Sequence, residues 1–407
     1  MSSWITVIGV GADGLDGLTS STRDHVACAD LLVGGERHQA MVPDSDLKAG
    51  AERLTWSCGI ASAMDEIANW RGKSVVVLAS GDPLYFGAGS TLARHFGAAE
   101  INVIPYPGAF SLACARMVWP IPDATTMTVH GRAHAGLNLH IRPGARIVAL
   151  SWNGESPAKL ANILRDRGFG PSTIVVFSDM GTVEEQRFDG TAENWPHATV
   201  PDLNTVCIDC TPGPDANWWP RTPGLPEEAF EHDSQITKRE VRAATLAALA
   251  PQPGELLWDV GAGCGSVSVE WLRSTDGTRA IAIERHEDRL KYIETNASTL
   301  GVPRLEIVAG EAPSALSDLA TPDAIFIGGG VSNADILKAC WERLAGGGRM
   351  VANAVTLEAQ QQLMNFGASH DATFTRMSVA RSGAVGELTT LRPMMDVLQL
   401  YVRKNDT

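Results

Sequence analysis

The chain has 407 residues, 44% of them apolar and 20% charged, with a formal net charge of −14. That length exceeds one ordinary core and points to two or three globular domains at roughly 150 residues each. The acidic total argues against a nucleic-acid face, and the longest apolar runs, such as 74–79, fall far short of the roughly 20 residues of a membrane span. The start, Met1-Ser2-Ser3-Trp4, has no basic region followed by an apolar stretch, so no secretory leader and a cytoplasmic location are expected. Seven cysteines, at 28, 58, 114, 207, 210, 264 and 340, lack framework spacing and read as reduced thiols.

In chain order, strands are predicted at 5–9, 31–33, 75–79, 101–104, 147–150, 174–177 and 206–210, with helices at 19–29, 91–96, 111–117 and 157–167. The alternation implies α/β layers with mostly parallel sheets. Cys207 and Cys210 form a C-x-x-C, but on a strand this spacing points the two sulfurs to opposite faces, and no second pair completes a zinc tetrad. His130 and His134 lack a third ligand nearby, so no metal site is expected.

The composition then breaks. Residues 211–231 are proline-rich and nearly aperiodic, and read as a linker. Three segments are therefore expected: 1–210, the linker 211–231, and 232–407. Thr237 and Glu240 fit a capping box opening a helix over 238–249. Strands follow at 256–260, 279–283, 305–308, 324–327 and 348–352, with a helix running through Trp271.

The loop after 256–260 reads Asp259-Val-Gly261-Ala-Gly263-Cys-Gly265. A dinucleotide fingerprint needs its third glycine one place later, where Ser266 stands. Glycines admit close backbone approach, the following helix offers free N–H groups to a carboxylate, and Glu284 ends the next strand, where it can accept from ribose hydroxyls. S-adenosylmethionine carries a carboxylate and no pyrophosphate, so it fits this loop better than NAD. With I-T-K-R-E-V-R at 236–242, A-I-E-R at 282–285, G-E-A-P-S-A-L at 310–316, D-A-I-F-I-G-G-G at 323–330 and G-G-R-M-V-A-N-A-V-T-L-E at 347–358, the stretch from about 232 to the end resembles class I S-adenosylmethionine methyltransferases. It is most similar to the cobalamin-pathway type that methylates carbon 15 of a precorrin. The resemblance places Thr237, Gly261, Gly263, Gly265, Glu284, Glu311 and Ala312 against the cofactor.

The first half carries Gly9, Gly11 and Gly14 as G-x-G-x-x-G, but Asp30 precedes its strand instead of ending it, and Gly34 stands at the far end. A better anchor is the run from Leu78 to Gly87, in which Pro83 fixes a turn and Gly81 permits close approach. With Pro105–Ser111, it resembles the class III tetrapyrrole methyltransferases over about 4–210. By that resemblance Gly81, Asp82, Tyr85, Phe110, Ser111 and Trp152 contact the cofactor, in a cleft between two α/β lobes. Ala12 and Phe110 depart from the family's commoner proline and small hydroxyl residue.

The resemblances together imply a class III fold of two α/β lobes joined to a class I Rossmann-like domain. They imply an enzyme of cobalamin biosynthesis that methylates a precorrin at carbons 5 and 15 and decarboxylates its ring C acetate. One S-adenosylmethionine is expected per half, without pyridoxal phosphate or metal. The meso carbons are already nucleophilic, so alignment is the main demand, and no particular catalytic residue is singled out. The substrate carries many carboxylates. Arg242, Arg381 and Arg392 are nominated as its clamps, and His232 and Asp233 as proton carriers near the cofactor. A homo-oligomer is expected, a tetramer through the second half or a dimer through the first. An RNA methyltransferase is the alternative; it would need a basic stripe, and the densest basic cluster, 237–242, is short and interrupted by Glu240.

Overall fold

A computed structural model describes residues 3–56 and 60–406. Cys58 lies outside the described residues. The chain forms two units, one from residues up to His134 with Arg142–Ala216, the other from Ala135–Ile141 with Asn217 onward. Among the described residues, no helix is long and apolar enough to cross a membrane.

The first unit opens with β1 (Ile5–Val10), α1 (Ser20–Ala27), β2 (Leu31–Gly34), α2 (Glu36–Ala40), β3 (Glu52–Thr55), α3 (Met64–Ala68), β4 (Val75–Ser80), α4 (Ala88–Phe96) and β5 (Ile101–Ile104). The five strands form a wholly parallel sheet in the order β3-β2-β4-β1-β5. Both faces are covered, which is why the central strands are apolar at nearly every position. Ile5, Val7, Val75 and Val77 meet Met64, Ile67, Leu92 and Phe96 on one face. Ile8, Val10, Val76 and Leu78 meet Leu18 and Val26 on the other.

Then follow α5 (Ala109–Met117), β6 (Ala124–Thr128), β7 (Arg146–Leu150), α6 (Ser156–Asp166), β8 (Thr173–Ser178), β9 (Gln186–Thr191) and β10 (Asn204–Asp209). Their sheet has the order β6-β7-β10-β8-β9. Here the expectation of parallel strands fails in part. Only β6 and β7 run parallel, while β7–β10, β10–β8 and β8–β9 are antiparallel. The connection from β8 to β9 is too short to hold a crossover helix, so β9 must reverse.

The second unit contains α7 (Arg239–Leu249), β11 (Leu256–Val260), α8 (Ser266–Ser274), β12 (Arg279–Glu284), α9 (Glu287–Thr299), β13 (Glu306–Ala309), β14 (Ala324–Ile327), α10 (Ala334–Arg343), β15 (Arg349–Ala354), α11 (Leu357–Gly367), β16 (Thr373–Met377), β17 (Ala380–Val385), β18 (Leu388–Pro393) and β19 (Val397–Arg403). Seven strands form one sheet, β13-β12-β11-β14-β15-β19-β16, parallel up to β15 and closed by antiparallel β19 and β16. β17 and β18 pair only with each other.

The capping box does not form. The helix starts one residue later than expected, Lys238 is its N-cap without a side-chain bond, and the Glu240 carboxylate is taken by Arg381. The proline-rich stretch is ordered against the second unit from Trp219 to Phe230. Arg221 donates to the Arg273 carbonyl at 2.7 Å and pairs with Asp276, while the Glu270 carboxylate accepts the Gly224 and Leu225 N–H groups at 2.7 and 2.9 Å.

Candidate active sites

In the second unit the loop between β11 and α8 meets the loop after β14 backbone to backbone. Gly261 has φ +70°, and a Cβ there would stand 2.8 Å from the Gly329 Cα, so only glycine fits. Beside it opens a cleft of about 490 Å³ lined by Gln235, Gly261, Glu284, Glu311, Ala312 and Gly330, among others. Glu284 ends β12 and is buried. Its Oε2 accepts the Gly263 N–H at 2.8 Å, and its Oε1 accepts the Arg285 and His286 N–H groups at 2.9 and 3.0 Å. A carboxylate has roughly four acceptor directions, so room remains for one further donor from the cleft, where two ribose hydroxyls were expected. Gly265 supports from behind as N-cap of α8, its Cα facing Ile293. Thr237 gives its carbonyl to Arg242. Glu311 forms an exposed ion pair with Arg285 at 2.5 Å.

Beneath this loop Asp259 is fully buried. Its Oδ2 accepts the Ser268 N–H at 3.0 Å, and its Oδ1 has no hydrogen-bond partner. Burial pushes its carboxyl up to about 6, against the pull of Ser268 and with a push from Glu284. A glycine cradle and a fixed buried carboxylate with an acceptor to spare suit a ligand that approaches the backbone closely and donates a hydroxyl, such as S-adenosylmethionine.

In the first unit β4 ends at Ser80, and the chain turns sharply at Gly81, whose φ is +60°. A Cβ on Gly81 would lie 2.5 Å from the Gly108 Cα, which ties this turn to the start of α5. Gly9 is equally confined, since a Cβ there would meet the Gly81 carbonyl at 2.0 Å. Gly9 of the first glycine loop therefore serves backbone packing. Asp82 Oδ1 caps the turn by accepting the Leu84 N–H at 2.9 Å. Leu84, Tyr85 and Phe86 are about half exposed. The Tyr85 and Phe86 rings lean on buried Phe110 at 5.1 and 5.7 Å, and the Tyr85 hydroxyl bonds Thr126 of β6. Arg132 stands 5.7 Å over the Phe86 ring. Ser111 is inside α5, whose N-cap is Gly108. Trp152 is 54% exposed, with its backbone N–H held by Ser156 Oγ at 3.0 Å.

The three nominated arginines stand in different surroundings, and of them Arg242 needs correction. Arg242 is 0% exposed, ion-paired with Glu270 at 2.8 Å, bonded to the carbonyls of Thr237 and Leu225, and set 4.7 Å from the Phe230 ring. It offers a substrate no free face; it binds the Trp219–Phe230 stretch to the second unit. Arg381 is held between Glu227 and Glu240 at 2.8 and 2.5 Å. Burial alone would raise the Glu227 carboxyl, but Arg381 and the Arg239 N–H outweigh it and hold it down at about 2. Arg392 faces Arg381 across the β17–β18 ribbon and donates to the Ala384 carbonyl. His232 Nδ1 accepts the Ser234 N–H, and Asp233 is paired with Arg289. Cys207 and Cys210 are buried thiols, each pushed up to about 12 by burial. His134 lies 3.1 Å from Ser156 Oγ. A cluster that sequence reasoning passed over is Arg37, His38 and Ser80: Arg37 Nη2 lies 2.8 Å, and His38 Nε2 3.0 Å, from Ser80 Oγ. These residues are 43 positions apart or less, with no shared motif to announce them.

Comparison with known proteins accords with two methyltransferase-type units. A family model described as Tetrapyrrole (Corrin/Porphyrin) Methylases matches residues 5–196, and one described as Precorrin methyltransferase domain matches 228–404. The class is thus a methyltransferase of the tetrapyrrole type built from two methyltransferase units. The chain is 42% identical over 399 residues to a Sinorhizobium sp protein named precorrin-6Y C(5,15)-methyltransferase [decarboxylating], covering 98% of this chain and 96% of that one. It is 39% identical over 404 residues to the protein of that name from Mycobacterium tuberculosis (strain CDC 1551 / Oshkosh), covering 98% and 100%. A crystal structure of the C-terminal domain of precorrin-6Y C5,15-methyltransferase from Rhodobacter capsulatus is 46% identical, covers 46% of this chain and 100% of that one, and has a TM-score of 0.44. The chain belongs to the family of decarboxylating precorrin-6Y C(5,15)-methyltransferases.

Proposed function

We propose that this chain methylates a precorrin at carbons 5 and 15 and removes carbon dioxide from the ring C acetate, with one S-adenosylmethionine site in each unit. The observation that carries this is the relationship to whole two-part enzymes of that name across 98% of the chain. S-adenosylmethionine supplies the methyl group. In the second unit Gly261 and Gly329 keep the wall of the cleft free of side chains, and Glu284 presents a fixed acceptor for a hydroxyl. In the first, the Tyr85 and Phe86 rings, set against Phe110, give a half-exposed aromatic surface against which a macrocycle can pack. We assign carbon 5 to the first unit and carbon 15 with decarboxylation to the second. Enzyme groups then mainly align the reacting atoms, and the conjugated macrocycle takes up the electron pair released with carbon dioxide.

An RNA substrate is not favoured. Within the densest basic cluster Arg242 is buried and Glu240 is paired, so no phosphate-tracking stripe remains there. Buried free thiols suit the reducing cytoplasm. The β17–β18 ribbon exposes Val385, Leu388 and Leu391, with Met395 beyond it, and we assign to it a contact between copies of this chain. Incubation of the full chain with enzymatically made precorrin and labelled donor tests the function. The product should gain two methyl groups and lose one carbon dioxide; a single methyl, or no loss of carbon dioxide, would defeat the proposal.

A further inference from the structure

We propose that Arg37 and Ser80, backed by His38, form a carboxylate-binding site in the first unit that holds a side chain of the tetrapyrrole during carbon-5 methylation. It rests on the assignment of that step to this unit. Arg37 and His38 lie on α2, directly after β2, and Ser80 ends β4. Strands β2 and β4 are parallel neighbours, so all three residues stand at the carboxyl end of the sheet. Ser80 pairs with Val10 across β1 and β4, beside the Gly81–Asp82 turn. The connections after the neighbouring strands β2 and β4 leave in opposite directions, towards β3 and β5, and such a divergence is where open α/β sheets receive ligands.

The hydrogen bonds fix what Ser80 has left to offer. Arg37 can only donate, so Ser80 Oγ accepts from it. His38 Nδ1 is buried and, among the described residues, has no hydrogen-bond partner. A proton there would be an orphaned N–H, the rarer and costlier fault. The proton therefore sits on Nε2 and is donated to Ser80 Oγ. Both lone pairs of the hydroxyl are then filled, and its own proton is free to point outward. Burial, with Arg37 alongside, holds the imidazole down at about 4, so it is neutral at pH 7.

Charge completes the site. Arg53, Arg71, Arg116 and Arg187 in this unit are each paired with a carboxylate. Among the described residues Arg37 is paired with none, and it is exposed in a chain of net charge −14. A free guanidinium beside a polarised O–H donor complements a carboxylate. Both the tetrapyrrole and the methyl donor carry that group; exposure at the rim favours the larger, multiply charged molecule.

The test uses the full chain as wild type, Arg37→Ala, Arg37→Lys and Ser80→Ala, with thermal unfolding to check each fold. Binding is read by tryptophan quenching with uroporphyrin as a polycarboxylate tetrapyrrole, and by calorimetry with S-adenosylhomocysteine. Arg37→Ala should weaken uroporphyrin binding about tenfold or more and raise KM for the precorrin in carbon-5 methylation more than it lowers kcat. Arg37→Lys should recover part of this. Carbon-15 methylation and carbon dioxide release should be unchanged. Weakened S-adenosylhomocysteine binding with uroporphyrin unaffected would put the donor's carboxylate at the same site and overturn the tetrapyrrole as its ligand. Unchanged affinity for both overturns the site. A wild type that binds uroporphyrin through Arg37 yet leaves carbon 5 unmethylated would overturn only the assignment of the reaction.

Discussion

Replacing Asp259 by Asn should make the protein more stable at neutral pH. The Asp259 carboxyl titrates near 3.8 when solvated and at about 6 in the fold, chiefly because burial penalises its charge. Since the folded value is the higher one, the folded state binds the proton more tightly. Stability is therefore greatest below pH 3.8, falls as pH rises towards 6, and carries the whole penalty above 6. That gap in proton affinity between solvated and folded carboxyl amounts to about 3 kcal/mol. Asparagine has the shape of the protonated acid and still accepts the Ser268 N–H. In donor-free urea unfolding of the full chain, the transition of the second unit should favour the variant by about 3 kcal/mol at about pH 7.5, and by little near pH 4. Buried Trp258 and Trp271 report on that unit. A difference that does not change with pH, or a variant less stable than wild type at neutral pH, would refute burial of the charged carboxyl as the cause.

Arg242→Met should lower stability by about 3–5 kcal/mol because it strands the Glu270 carboxylate, whereas Arg392→Met should stay within about 0.5 kcal/mol; equal unfolding midpoints would deny Arg242 its structural part. Gly81→Ala and Gly261→Ala force a Cβ to 2.5 Å from Gly108 Cα and 2.8 Å from Gly329 Cα, at a left-handed cost of about 1–2 kcal/mol before any clash. Each should abolish one methylation and leave the other, by product mass; either variant silencing both would end the idea of two independent sites. Leu388→Asp with Leu391→Asp should give a smaller particle in sedimentation, and an unaltered particle would exclude the ribbon as the contact.

The strands legible in the sequence are those buried on both faces. β1, β4, β11, β12 and β14 read as apolar runs because helices cover each side of their sheets. Most of the strands that escaped notice are polar or exposed, although β19, largely buried between β15 and β16, escaped as well. β3 (E-R-L-T), β6 (A-T-T-M-T) and β9 (Q-R-F-D-G-T) stand at sheet edges, where one flank and much of the surface face water. β16, β17 and β18 are exposed along nearly all their length. Their pairing is set by neighbours distant in the chain, and period alone cannot announce it.

The glycine turns and Glu284 were visible for a related reason. A backbone at positive φ needs glycine, and an acid at a strand's end needs only that strand to be recognised. Charged side chains gave no such signal. Arg242, Arg381 and Arg37 look alike as letters, yet one is sealed against Glu270, one is shared by Glu227 and Glu240, and one is left facing water beside Ser80. Local geometry and hydrophobic period are encoded within a few residues, so the sequence by itself determined two α/β units with glycine-lined strand ends. Which cation is neutralised depends on carboxylates tens to hundreds of residues away, and only the tertiary structure, by bringing them within hydrogen-bond reach, decided that.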